Sequence, residues 1–166
     1  MKYYPPQEDE GGWAAAERDY AISLRAIWDA LPPDLRLLCD RTPGWSPGRI
    51  FLNDSSVKKV EANFGGKTVE IVLAGEALDE DGRQTGERLF TLCYGEVQRF
   101  ACAGEYGGDP PLALLHADHL WDEVELLGPG LFEHRMLFVS QGHIEMSVIF
   151  GQFRLTYTDR PHEAAA

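Results

Sequence analysis

The chain has 166 residues, the size of one domain, and its hydrophobic fraction of 44% and charged fraction of 25% are ordinary for a soluble globular protein. These values exclude a wholly disordered, fibrous or collagen-like chain. Its 27 acidic and 15 basic residues give a formal net charge of −12, which disfavours binding to nucleic-acid phosphates and favours a basic protein as partner.

The N-terminus and the cysteines indicate the cellular compartment of the protein. The opening MKYYPPQEDE has no apolar segment typical of a secretion signal, and no apolar run reaches the roughly 18 residues of a membrane span. The three cysteines are an odd number without CxxC spacing, which fits a reducing compartment. The sequence therefore predicts a cytoplasmic protein without a membrane partner. We expect one domain over residues 13–160, with a flexible lead at 1–12 and a flexible tail at 161–166.

Apolar residues at helical spacing predict a first helix from Trp13 to Leu31. They occupy one side of a 3.6-residue repeat and place the Trp28 ring in the core. Pro32-Pro33 must end this helix, because proline lacks an amide donor and crowds the preceding turn. A short second helix follows, with Leu35, Leu38 and Cys39 on its inner side, and the two together predict an N-terminal helical hairpin.

From Ser56 onwards the apolar period changes to two, which is typical of β-strands. Residues 56–64, with Phe64 on the inner face, and residues 69–73 predict a hairpin around Gly65-Gly66. The polar stretch 78–86 predicts a loop or a loose hairpin connection. Residues 88–94 are apolar on both faces and predict a strand in the middle of the sheet.

The last third of the chain predicts an antiparallel meander. Its segments 122–127, 131–140, 143–150 and 153–158 are separated by GPG, QG and GQ. The order is helices first and then about eight closely spaced strands. The predicted class is therefore α+β, an N-terminal helical hairpin packed on a largely antiparallel, meander-type sheet. The pattern leaves open whether this sheet is open or forms a partly closed barrel.

Three stretches carry a resemblance to a known family. The chain resembles an uncharacterised bacterial family of small α+β proteins, a domain of unknown function. The stretches that resemble it are WDALPPDLRLLCD, RIFLNDSSVKKVEANFGGKTVEIVLAG and LWDEVELLGPGLFEHRMLFVSQGHIEMSVIFGQFRL. The family's His-Asp turn is Asn53-Asp54 here, so no role of that histidine transfers. The resemblance implies no catalytic residues. By analogy of fold alone, it also suggests the immunity proteins that bind bacterial toxins.

Two features suggest contact with a protein partner. The acidic residues Asp79, Glu80, Asp81 and Glu87, with Glu76 nearby, could steer a basic surface, or they could form a solvated loop. Trp45, between two Pro-Gly steps, either closes the bottom of the core or anchors a partner.

A histidine-rich segment, HADHLWDE, offers a candidate metal site. On a helix, His116 and His119 would share a face, and Glu123 would lie one turn beyond His119, within reach of a divalent cation. Solvent-facing residues on a connector are the other interpretation, and the more probable one by chance. His134 and His143 are separate candidates for acid–base chemistry, since counting from the QG turn places them near one another across two strands. Cross-strand pairing with Glu133, Arg135 and Glu145 is the structural interpretation, and it is the favoured one.

The sequence has no GxGxxG, P-loop, GxSxG or HExxH motif, so we expect no cofactor and assign no catalytic residue. The favoured function is a non-enzymatic binding protein, of the immunity or inhibitor type, for a basic partner such as a toxin domain. The alternative is a metal-dependent or acid–base hydrolase that uses His116, His119 and Glu123.

Overall fold

The computed structural model describes residues 2–3, 10–40, 50, 52–79, 81–104, 114–115, 117–140 and 142–161. Helix α1 covers Glu10–Ile27, a 3₁₀ turn covers Trp28–Ala30, and helix α2 covers Pro33–Cys39. The strands are β1 (Ser56–Asn63), β2 (Thr68–Leu78), β3 (Gln84–Gly95), β4 (Arg99–Gly104), β5 (Asp118–Gly128), β6 (Leu131–Val139), β7 (His143–Phe150) and β8 (Gln152–Pro161). This confirms the α+β class, with helices first and antiparallel strands after.

The strands form one antiparallel sheet in the order β4-β7-β6-β5-β1-β2-β3-β8. Two meanders, β1-β2-β3 and β5-β6-β7, join where Ser56 of β1 pairs with Asp118 of β5. The end strands β4 and β8 do not pair with each other, so hydrogen bonds do not close the sheet into a barrel. The predicted strand at 88–94 lies within β3, between β2 and β8, and is therefore second from one end rather than central.

The predicted four-strand meander at the C-terminus is wrong in its last step, because β8 pairs with β3 and not with β7. Only Gly151 separates β7 from β8, and the common tight hairpin loops have two residues at least. The chain therefore continues forward across a corner. There Gly151 N–H donates to the Gly95 carbonyl (3.2 Å) and Gln98 N–H to that of Ile149 (2.8 Å).

The inner face of the sheet is the core of the molecule. Val69, Ile71 and Leu73 of β2 are buried as predicted, and so are the alternating residues of β7 from Ile144 to Phe150. The predicted hairpin at Gly65-Gly66 is present, but Phe64 lies in its turn and is 76% exposed. The predicted loop at 78–86 is shorter than expected, because β2 and β3 extend to Leu78 and Gln84.

Both helices pack against the sheet. Tyr20 of α1 is buried, and its hydroxyl accepts the Val124 N–H of β5 (2.6 Å). Asp34 of α2 accepts the Leu155 N–H of the end strand β8 (3.0 Å). Trp28 differs from its prediction: α1 ends one residue before it, and its side chain is only half-buried. No helix within the described ranges is long and apolar enough to cross a membrane.

Candidate functional site

The turn between β2 and β3 is ordered by the side chain of Asp79. Its Oδ1 accepts the backbone N–H groups of Asp81 and Arg83 (both 2.9 Å). Gly82 allows this tight path because its φ of +76° suits glycine best. Asp79 therefore fixes the turn, and the exposed Asp81 follows it with its carboxylate 3.2 Å from Arg83.

Beside this turn, two glutamates of like charge face each other across the strands. Glu76 of β2 is directly opposite Glu87 of β3. Such a pair destabilises a sheet by roughly 0.2–1 kcal/mol. Glu87 also forms a long, exposed ion pair with Arg160 on β8, at 4.0 Å. We call Glu76, Asp79, Asp81 and Glu87 the acidic hairpin end; Glu80, predicted with them, lies outside the described residues.

Trp45 and His116 also lie outside the described residues. Of the predicted metal ligands, the structure places His119 and Glu123 on β5, where both are buried. The expectation of solvent-facing residues on a connector is wrong for these two, because the segment is a strand: His119 packs against Phe138 in the core, and Glu123 is covered by the chain at residues 2 and 3.

The two residues do not share a site. His119 packs against Phe138 on the inner face of the sheet, and its Nε2 lies 3.8 Å from Asp122 Oδ1. Glu123 instead accepts the backbone N–H groups of Lys2 and Tyr3 (2.8 and 2.7 Å). No three His, Cys, Asp or Glu side chains in the part of the chain that the structure describes are grouped to hold a metal ion.

Four polar side chains form a buried cluster in the core: Tyr94, His119, Asp122 and His134. The Tyr94 hydroxyl and His134 Nδ1 form a hydrogen bond of 2.8 Å, and Nε2 of His134 lies 3.7 Å from Asp122 Oδ2. Burial, and then the charge of Asp122, raise the pKa of Tyr94 well above its usual value, so the phenol stays neutral. All four are at most 3% exposed, so the cluster joins β3, β5 and β6 out of reach of solvent.

His134 and His143 are not near one another, contrary to expectation. Because β6 and β7 meet through a tight turn, His143 pairs with Val139, whereas His134 pairs with Val148 in the middle of the strands. His134 is fully buried and His143 is exposed. The two histidines therefore do not form a joint site.

On the outer face of β5 and β6, Arg135 organises a network of carboxylates. Its Nη2 donates to Glu125 (2.6 Å) and to Glu133 (2.7 Å), and its Nη1 lies 3.5 Å from Glu123. Ser147 donates to Glu133 from β7 (2.6 Å). This network links three strands and binds the backbone at residues 2 and 3.

This network predicts a loss of stability in acid. Hydrogen bonds from Lys2 and, after the opposing effect of burial, from Arg135 lower the pKa of Glu125. Burial alone would raise the pKa of Glu133, but the hydrogen bonds from Arg135 and Ser147 and the nearby arginine charges lower it. A carboxyl with a lowered folded pKa stabilises the fold above its unfolded pKa of about 4.3, and this is lost as pH falls through the folded pKa.

We therefore expect the urea concentration at the midpoint of unfolding to decrease as the pH is lowered from about 5 to about 3. This decrease should be less steep in Glu125→Gln and Glu133→Gln. Glu17→Gln is the control, because Glu17 is exposed on α1 and forms no ion pair with a described residue. An acid slope that is equal in all four proteins would contradict the prediction.

Sequence reasoning missed the buried cluster and the Arg135 network. Tyr94, Asp122 and His134 come from three separate strands, so no spacing along the chain brings them together. The one signal available was the pairing of β5 with β6 through the GPG turn, which sets Glu123 opposite Arg135.

Comparison with protein-family models, with curated proteins and with solved structures finds no match. The resemblance to a bacterial family stays a prediction. The functional argument therefore depends on this chain's own geometry.

Proposed function

We propose that this chain is a non-enzymatic, cytoplasmic binding protein that presents the acidic hairpin end to a basic protein, in the manner of an immunity protein that neutralises a toxin domain. The observation that carries the proposal is the like-charge pair of Glu76 and Glu87 beside the turn fixed by Asp79. A cationic side chain placed between two carboxylates relieves their repulsion. The free energy that this repulsion costs the folded protein is therefore recovered when a basic partner binds.

The remaining acidic and histidine side chains support this choice. The buried cluster lies out of reach of solvent, and the carboxylates around Arg135 are bonded into the structure. The acidic hairpin end is held rigid as well, but it exposes Glu76 and Asp81, and the partner of Asp81 is the equally exposed Arg83. A rigid charged surface loses little conformational entropy on binding, and a net charge of −12 speeds encounter with a basic protein.

The test is capture of a basic protein from lysate of the source cells at low salt, with tagged wild type and Glu76→Lys. The substitution replaces a repulsive cross-strand pair by an attractive one, so we expect stability to be unchanged or to rise by up to about 1 kcal/mol. Capture should be lost nevertheless. Glu17→Lys carries the same charge change on α1 and should capture as wild type does.

We expect a stoichiometric basic protein that is released as salt rises, because screening weakens steered contacts. Equal capture by Glu76→Lys, or a partner that salt does not release, would contradict the assignment of this surface.

A further inference from the structure

A second surface lies at the opposite end of the β2–β3 hairpin. The eleven residues of β2 separate the two ends by roughly 33 Å. Here Phe64, Val97 and Phe100 line a pocket of about 60 Å³, with Lys67 and Arg99 as its charged residues. The other lining residues are uncharged, and we call this site the Phe64 pocket.

The turn that carries Phe64 is held on both sides. Asn63 Oδ1 accepts the Gly66 N–H (2.8 Å), and the Lys67 carbonyl accepts the Val97 N–H from the corner between β3 and β4 (2.9 Å). The Phe64 ring is nevertheless 76% exposed. A large exposed aromatic ring on a backbone that is already held can anchor a protein interface, because the backbone loses little entropy when the ring is covered.

The charge of this pocket is opposite to that of the chain as a whole. Although the chain has 27 acidic residues and 15 basic ones, the pocket has two cations and no acidic residue in its lining. Neither Lys67 nor Arg99 forms an ion pair with any residue that the structure describes, although the charge of Arg99 also acts on Glu133 of β6 and helps to lower the pKa of that carboxyl. The adjacent Glu96 instead accepts a hydrogen bond from Gln152 (2.8 Å).

The net charge of −12 does not cancel this local preference. It acts over the whole molecule and is screened beyond about 8 Å at physiological salt, whereas Lys67 and Arg99 act at contact distance. Next to the pocket, and sharing Asn63, Thr68 and Val69 with it, a groove of about 590 Å³ runs over the sheet towards Arg154. The two glutamates in its lining, Glu61 and Glu70, are paired with Lys59. The groove gives room for several residues of an extended segment.

We propose that the Phe64 pocket binds an acidic segment of another protein. One aliphatic or aromatic side chain of that segment enters the pocket beside Phe64, and flanking carboxylates bind Lys67 and Arg99. This site is independent of the acidic hairpin end and has the opposite charge preference.

The test is selection of peptides from a random library displayed on phage, with the full chain immobilised. We expect enrichment of peptides in which Asp or Glu flank one apolar residue. A synthetic peptide of that consensus should bind wild type about tenfold or more tightly than Phe64→Ser, because anchors dominate interface energy. Lys67→Glu combined with Arg99→Glu should weaken the peptide similarly.

Two control variants are matched to these changes. Ile22→Ser removes another exposed apolar side chain, 60% exposed on α1, and Arg18→Glu combined with Arg25→Glu makes the same charge change on that helix. Both should bind the peptide as wild type does. Basic or neutral consensus peptides, no enrichment, or equal binding to Phe64→Ser would overturn the proposal. Concentration-dependent dimers in sedimentation that Phe64→Ser abolishes would assign the pocket to a second copy and overturn it as well.

Discussion

Phe150→Ala should lower the free energy of unfolding by about 3–5 kcal/mol, the range for truncating a large aromatic ring in a core. Phe150 is fully buried at the end of β7, beside the corner where the chain passes into β8. Its ring meets Tyr94 edge-on at 5.1 Å and lies 5.9 Å from Phe132 and from Phe153. It therefore packs against residues of β3, β6 and β8. The cavity that the substitution leaves between these strands cannot be filled by a shift of one neighbouring side chain.

Urea unfolding followed by tryptophan fluorescence measures this loss. Phe64→Ala is the matched control, because the same substitution at a ring that is 76% exposed should change stability by no more than about 0.5 kcal/mol. Equal losses in the two variants would mean that Phe150 is not in the core.

Glu123→Ala should lower the free energy of unfolding by about 2–3 kcal/mol. Hydrogen bonds to a charged group are lost, and one buried donor is left without an acceptor. Glu123 is 2% exposed and accepts three N–H groups: the backbone amides of Lys2 and Tyr3 and the indole of Trp121 (3.1 Å). The two backbone amides can turn to water when the carboxylate is removed. The indole cannot do so, because Trp121 is itself buried.

A second measurement separates this anchoring role from simple loss of volume. Hydrogen exchange of the Tyr3 amide should accelerate in Glu123→Ala and much less in Glu123→Gln, which keeps an acceptor oxygen. Glu70→Ala is the control for stability, since its surface pair with Lys59 should be worth no more than about 1 kcal/mol. A Glu123→Ala protein as stable as Glu70→Ala would rule out the buried anchor.

The strand pattern of this chain was readable from its sequence because burial of one sheet face imposes a period of two. Val69, Ile71, Leu73 and the inner residues of β7 follow that rule, and the structure confirms them. The helix stripe was equally clear at Tyr20, Leu24 and Leu31, which are buried. At Trp28 it was met only in part: α1 ends one residue earlier, and the side chain packs against the core without being fully buried.

The candidate site was only partly predictable. The acidic residues of the β2–β3 turn were found from composition alone, but not the role of Asp79, which depends on hydrogen bonds within the folded turn. The repulsion between Glu76 and Glu87 required the register of β2 and β3. The expectations for the histidine segment, an exposed connector or, for the metal hypothesis, a helix, were wrong because residues 118–128 form β5, which separates His119 from Glu123 into two environments.

The sequence by itself determined the class of the fold, the order of helices and strands and most of the inner face, because these depend on local period, proline and glycine. Only the tertiary structure decided that β8 leaves β7 to pair with β3, and that Tyr94, Asp122 and His134 meet in the core. It also decided that Phe64 is exposed and lines one pocket with Lys67 and Arg99. Such contacts join residues far apart in the chain. Their energies depend on register and on the path of the chain at corners, and neither leaves a periodic signal in the sequence.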